Sequence, residues 1–217
     1  MKKSKLLILG LMISCGMNMS AQWSGSGGAA PMTMLNSGDI SSLDNVKSVN
    51  IIYDYSELGV GAFRKEEDYI KKRSDEMEAK EKGSSEKFKK DWVDARKRRY
   101  EPKFEELFKK IGKDDIDMDG TNYATTNEVT LVVRTVFIEP GTNIGVYKKP
   151  AYVDFECTFK DKSGKDLCVF FVKNAVGSQA MGFDYAVEAR VQESYAKGAK
   201  MLVQNIAKER KKAKKKK

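Results

Sequence analysis

Asp115, Asp117 and Asp119 place carboxylates at every second position ahead of Gly120. Carboxylates in this pattern converge on calcium in the first half of a helix–loop–helix calcium loop, where the glycine permits a sharp turn. The final ligand position of such a loop, counted from Asp115, falls on Thr126 instead of a bidentate Glu, and Glu128 comes two residues late. Asp115, Asp117 and Asp119 are therefore a calcium candidate with half its loop missing. A solvated acidic loop is the plainer account.

Three other stretches carry residue types that bind ligands. Leu58-Gly59-Val60-Gly61-Ala62-Phe63-Arg64 lies between a strand pattern and a charged helical pattern. A dinucleotide fingerprint occupies such a place, because glycines let the backbone approach a pyrophosphate at a helix N-terminus. Arg64 stands where the third glycine belongs, and no acidic ribose ligand follows on a second parallel strand, so no cofactor is expected. Arg96-Lys97-Arg98-Arg99 sits between Trp92 and Tyr100, a set of cations and aromatics that suits a polyanion. Consecutive helical residues point to all sides, however, and Asp91 and Asp94 are near enough to pair with them. The third stretch is Lys208 to Lys217, a low-complexity basic run expected to be disordered beyond the last helix. Arg96, Arg98, Arg99, Lys211, Lys212, Lys214 and Lys215 are the candidate polyanion-binding set. A solvated helix face and a solubilising tail are the bland alternatives.

Histidine is absent from the chain. That removes Ser-His-Asp and Cys-His catalysis, His-ligated zinc and His acid–base chemistry together. No catalytic residue is assigned. A carboxylate-only enzyme survives as a third class, because paired carboxylates leave no local spacing in a sequence.

The chain begins with Met1-Lys2-Lys3-Ser4-Lys5, an apolar run from Leu6 to Ile13, and Met19-Ser20-Ala21-Gln22. A basic head, a short apolar stretch and a small residue predict an export signal over residues 1–21. The run falls well short of the roughly 20 residues that cross a bilayer, and no later segment is longer, so no membrane span is expected. Cleavage after Ala21 gives a protein free of lipid. Cleavage before Cys15, in Met12-Ile13-Ser14-Cys15, gives a lipoprotein, although the usual leading leucine is missing. Cys157 and Cys168 then sit in a compartment that permits disulfides.

The net charge is +9, and loss of Lys2, Lys3 and Lys5 leaves +6. Residues 208–217 hold eight basic residues and Glu209, a charge of +7, so the remaining domain carries −1. The basic character belongs to the tail, which argues against a nucleic-acid-binding face on the domain.

The elements that must position these groups follow from periodicity. Residues 22–40 are rich in Gly, Ser and Pro, and predict a flexible leader with Trp23 as its large apolar group. Val49, Ile51, Tyr53 and Tyr55 alternate with Asn50, Ile52 and Asp54, a strand pattern. Residues 64–112 read as a long charged helical segment broken at Gly83-Ser84-Ser85. Its second part carries Phe88, Trp92, Val93, Arg96 and Tyr100, then Phe104, Leu107, Phe108 and Ile111, with a kink or restart expected at Pro102. Residues 127–138 are apolar on both faces, as in a central strand. Pro140-Gly141 then suits a type II turn. Val153, Phe155, Cys157 and Phe159 alternate with polar residues, Asp161-Lys162-Ser163-Gly164-Lys165 makes a hairpin turn, and Leu167 to Val172 returns. Tyr185 to Lys208 closes the domain as a helix with Val187, Val191, Tyr195, Gly198, Leu202 and Ile206 on one stripe. The expected fold is α+β, a β-α-β-β-β-α two-layer sandwich over residues 41–207, with a four-stranded mixed sheet and helices on one face.

Cys157 and Cys168 are expected to stay unbonded. A three-residue turn loop puts Asp161 opposite Lys165, hence Cys157 opposite Val169 and Cys168 opposite Thr158, on the other face; the alternative, a four-residue loop with Lys160 opposite Lys165, puts Cys157 across from Cys168 but sets Phe159 against Asp166.

Glu139-Pro140-Gly141-Thr142-Asn143-Ile144-Gly145 after the Val-rich strand, and Ser194-Tyr195-Ala196-Lys197-Gly198-Ala199-Lys200 in the last helix, resemble a group of small exported Gram-negative envelope proteins of unknown function. The resemblance covers about residues 46–207. It implies an envelope location and a compact α/β domain, and carries no catalytic residue across. A looser likeness of element order, to anticodon-binding-like periplasmic domains of envelope lipoproteins, is fold analogy alone. The leading expectation is a non-enzymatic protein of the periplasm or outer membrane, a binding or scaffold domain for an envelope protein. The alternative is binding of a polyanion or anionic membrane surface through the basic tail.

Overall fold

Met32–Gly38 forms a strand, β1, inside the stretch whose composition predicts a flexible leader. The computed structural model describes residues 30–121, 128–144, 146–177 and 186–216. The expected export signal, Cys15, Trp23 and the last position of the expected calcium loop, Thr126, lie outside the described residues. Leu35 accounts for β1: it packs on the core, and the strand pairs antiparallel with β9 (Asp166–Val176). A strand needs one paired edge and one buried residue row, and composition registers neither.

β1 and β9 belong to a sheet with β2 (Ser48–Asp54), β3 (Gly59–Val60), β4 (Asp119–Thr121), β5 (Thr130–Glu139) and β8 (Tyr152–Lys160). The spatial order is β1-β9-β8-β5-β2-β4, with β3 also paired to β5. The fold is α+β. The four expected strands, β2, β5, β8 and β9, are present, but the sheet has seven strands. The three extra ones are β1 and two short pieces, too brief to show a period of two. β2 runs parallel to β5, and β5, β8 and β9 form an antiparallel meander. β6 (Thr142–Asn143) and β7 (Lys148–Lys149) make a separate two-stranded hairpin after the Pro140-Gly141 turn. Gly141 takes φ +67, and an added Cβ there would lie 2.5 Å from the Lys149 carbonyl oxygen.

Among the described residues the α-helices are α1 (Glu66–Lys80), α2 (Ser84–Ala95), α3 (Glu101–Ile116) and α4 (Val187–Lys214). α3 and α4 lie on the sheet face that bears Ile51, Val133, Phe155 and Phe170. Phe104 meets Phe155 edge-on at 5.8 Å, and Tyr195 does the same at 4.9 Å. An added Cβ on Gly198 would come within 2.3 Å of the Phe155 ring, so the glycine lets α4 approach the sheet. Each such fully buried aromatic contributes roughly 1.5–3 kcal/mol by leaving water. α1 and α2 extend the core outward, where Tyr69 packs on Phe63, Phe88 and Trp92. Val93, placed on the apolar stripe by its spacing, is exposed.

The disturbance expected at Pro102 falls one turn earlier. Arg96–Tyr100 is a π-helical turn, in which the Glu101 N–H reaches the Arg96 carbonyl. Pro102 donates no N–H and its ring crowds the carbonyl of Arg98, so the preceding turn widens instead of breaking.

The β8–β9 hairpin has the expected turn but not the expected register. Asp161 N–H bonds the Lys165 carbonyl and Gly164 takes φ +84, as a three-residue loop requires. Lys160 then faces Asp166, but Phe159 faces Cys168, so Leu167 is bulged out. Cys157 faces Phe170, and both cysteines share the helix-facing side as diagonal neighbours. They are free thiols, as expected, but for a different reason. Diagonal neighbours stand about 7–8 Å apart, beyond disulfide reach. Both faces of β9 are apolar, so its pattern could not choose a register. β1 chooses it: the Asp39 N–H takes the Leu167 carbonyl, and Gly38 lies so close that a Cβ would sit 2.1 Å from that oxygen.

Candidate functional site

α4 runs to Lys214, so the expected disorder from residue 208 is replaced by helix. Its C-terminal end is held from both sides. Arg210 donates Nη1 to the Ile116 carbonyl at 2.6 Å and Nη2 to the Leu43 carbonyl. Ile116 is the last residue of α3, so the guanidinium caps an end of negative helix dipole as well as an orphan carbonyl. Partial burial lowers the Arg210 pKa from its usual value, opposed by the nearby Asp44 and Asp117. Ala213 packs against the core beyond it. Counting Arg210 among tail cations hid this role, since nothing local separates it from its lysine neighbours.

The clamp fixes where the lysines point. Lys208, Lys211, Lys212 and Lys215 recur at helical spacing and line one shallow groove with Gln204, Ala207 and Asp115. Lys214 and Lys216 are exposed beside it. Of the expected polyanion set, Lys211, Lys212 and Lys215 therefore share a wall of this groove, and Lys214 is adjacent.

The arginines of that set are elsewhere. Arg96 is half-buried and paired with Glu66, which also accepts a bond from Trp92 Nε1 at 2.6 Å. Its guanidinium stacks 4.2 Å from the Tyr55 ring. These partners commit Arg96 to the core and remove it from any surface footprint. Arg98 is exposed, with Asp91 at 3.6 Å, and Arg99 reaches Gln192 Oε1 at 3.5 Å. Gln192 lies in the first turns of α4, so at 1.5 Å per residue Arg99 stands roughly 30 Å from Lys211. The footprint read as one set splits between opposite ends of the helix.

The calcium candidate does not assemble. Asp115 remains on α3 and faces the lysine groove. Asp117 adopts φ +52 as the cap of that helix and pairs with Lys47, whose hydrogen bond lowers the carboxyl's pKa. Asp119 belongs to β4 and faces Lys113 at 3.3 Å and Lys109 at 3.8 Å. The helix runs through the start of the triplet, which breaks the loop geometry, and cations take the carboxylates. Among the described residues no three ligating side chains gather as a metal site would need. The glycine segment Leu58–Arg64 likewise fails as a phosphate cradle: Gly59 is in β3, and α1 opens with Glu66, Glu67 and Asp68, which repel an anion.

A second polar cluster had no sequence signal beyond its aromatic residues. Glu101, 1% exposed, accepts from Tyr55 Oη at 3.3 Å and Lys97 Nζ at 2.8 Å. Tyr53 Oη bonds the Glu101 carbonyl at 3.1 Å and Glu105 Oε1 at 3.3 Å, and Tyr195 Oη pairs with Thr135 Oγ1 at 2.7 Å. Desolvation raises the pKa of Tyr53, Tyr55, Tyr100 and Tyr195 above the usual phenol value. The phenols stay protonated; Tyr53 and Tyr55 donate across to α3, Tyr195 ties α4 to β5 through Thr135, and Tyr100 packs on the Tyr195 ring at 5.1 Å with its hydroxyl unpaired among the described residues. Burial likewise raises Cys157 and pushes Cys168 up to about 12, so neither thiol is a nucleophile at neutral pH. In a further groove near the β8–β9 turn, Asp161 and Glu128 face each other's neighbourhood. Asp161 is held low by its bonds from Ser163 and Lys165, and Glu128 pairs with Lys162 at 3.0 Å. The two carboxylates are thus held by the turn's own donors and by Lys162 rather than set against each other.

Among the described residues no helix is long and apolar enough to cross a membrane. No protein-family model and no curated protein matches the chain. Among solved structures, two forms of the PelC dodecamer from Paraburkholderia phytofirmans align over 78% of this chain and 98% of theirs. Their TM-scores are 0.35 and 0.36, at 9% and 7% identity, and similarity at that level assigns neither fold nor function.

Proposed function

We propose that this chain is an exported, non-enzymatic binding domain that engages clustered phosphates or carboxylates of an anionic polymer or surface through the lysine end of α4. The observation that carries the reading is the Arg210 clamp, which holds Lys208, Lys211 and Lys212 on α4 and Lys215 at its C-cap along one groove. A preorganised cation row loses less conformational entropy on binding than a flexible tail. Each lysine adds about 1 kcal/mol near an anionic surface, and the attraction falls steeply with salt. Export, and a place in the periplasm or at the outer membrane, belong to the same proposal and rest on the N-terminal residues. Inorganic polyphosphate tests the binding without lipid. Replacing Lys208, Lys211, Lys212 and Lys215 by Gln should weaken it by about a hundredfold or more in low salt. An affinity that survives the quadruple change, or ignores salt, removes the proposal.

A further inference from the structure

The opposite end of the domain carries a different surface. The β6–β7 hairpin projects Ile144, Val146 and Tyr147, which are 68%, 100% and 57% exposed. Three large apolar side chains at one tip are costly in water, and scattered exposure does not explain them. The hairpin is firmly based. Arg190, nearly buried, donates Nε to the Pro140 carbonyl at 3.1 Å and Nη2 to the Gly141 carbonyl at 3.3 Å. Glu139 accepts from Gly141 N–H at 3.1 Å and Lys149 Nζ at 2.8 Å. A tip braced at its root, with its apolar side chains outward, is presented rather than loosely attached.

The chemistry selects among occupants. Stable protein–protein interfaces take roughly 20–30 residues and about 800 Å² from each partner, and this tip offers three side chains on a hairpin with two-residue strands. A bilayer needs no complementary partner surface. It accepts branched aliphatics below the headgroups, a tyrosine at the headgroup level with its hydroxyl in water, and lysines just above. Ile144 and Val146 supply the first, Tyr147 the second, and the exposed Lys148 the third, while Lys149 stays with Glu139 at the root. We infer that the β6–β7 hairpin inserts its apolar tip into the interfacial layer of a lipid bilayer, independently of the lysine end of α4.

Flotation with vesicles of equimolar phosphatidylcholine and phosphatidylglycerol separates the two ends. In high salt, where the lysine end is screened, the full chain should still float. The triple change Ile144→Ser, Val146→Ser, Tyr147→Ser should reduce that salt-resistant partition by about tenfold or more. The quadruple lysine variant should lose only the salt-sensitive part. A dye attached to Val146→Cys should shift its emission to the blue on vesicle addition, against the unlabelled-site background of the parent chain. Absence of salt-resistant flotation, flotation unchanged by the triple change, or a dye that stays in water each overturns the inference and leaves the tip as a protein contact. The polyphosphate result is unaffected by any of these outcomes.

Discussion

The two ends of α4 use the same device for different purposes. At each, an arginine satisfies two backbone carbonyls of other elements: Arg190 takes Pro140 and Gly141, and Arg210 takes Ile116 and Leu43. The first braces an apolar hairpin, the second a row of lysines. Their electrostatic settings differ. Arg190 sits in the first turns of its own helix, where the dipole disfavours a cation, and it is nearly buried. Arg210 sits in the last turns, where the dipole favours it, and is half exposed. Long-range carbonyl capping by arginine fixes both ends of this helix, and the more buried clamp is the one expected to matter more.

Substitutions and truncations at the two ends test that comparison. Arg190→Met keeps the stem and deletes the donors, leaving two carbonyls without this partner in the domain. It should cost about 3 kcal/mol in denaturant unfolding, and a loss under about 1 kcal/mol would show that the brace is dispensable. Arg210→Met should cost less, about 2 kcal/mol, because water can reach the freed carbonyls. Deleting residues 208–217 should cost at least as much, whereas deleting 214–217 should leave the melting temperature unchanged. If the long deletion is also silent, the last turns of α4 are not part of the fold. The smallest effect concerns Asp154, buried on β8 near the hairpin end, whose carboxylate accepts the Asn174 N–H at 2.7 Å. Desolvation raises its pKa, outweighing that bond and the nearby Lys173. A raised carboxyl holds its proton more tightly in the folded state, so its contribution is complete below the unfolded value near 4 and lost as pH rises through the folded one. Asp154→Asn, which keeps an acceptor, should therefore match or exceed the parent by up to about 1 kcal/mol at pH 7, with the gap closing at pH 3. A variant weaker at both pH values would show that the ionised carboxylate itself is needed.

Local chemistry determined several features outright. The period-two apolar rows of β2 and β8, the stripe from Val191 to Ile206, the turn chemistry of Gly141 and Gly164, and the exclusion of histidine-based catalysis all follow from residues within a few positions of one another. They survive into the fold because side-chain periodicity and left-handed glycine are properties of the backbone itself. The features decided only by tertiary structure depend on partners far along the chain. β1 is a strand because β9 offers it an edge, and Leu167 bulges because Gly38 and Asp39 press on it from over a hundred residues away. Arg96 left the polyanion set because Glu66 and Tyr55 enclose it, and Asp117 and Asp119 left the calcium set because Lys47, Lys109 and Lys113 lie across from them. Arg210 became a clamp because α3 ends beside it. A charged side chain has one appearance in sequence whether it faces water, a ligand or a carbonyl; desolvation and the nearest opposite partial charge choose among them, and both are set only when the chain has folded.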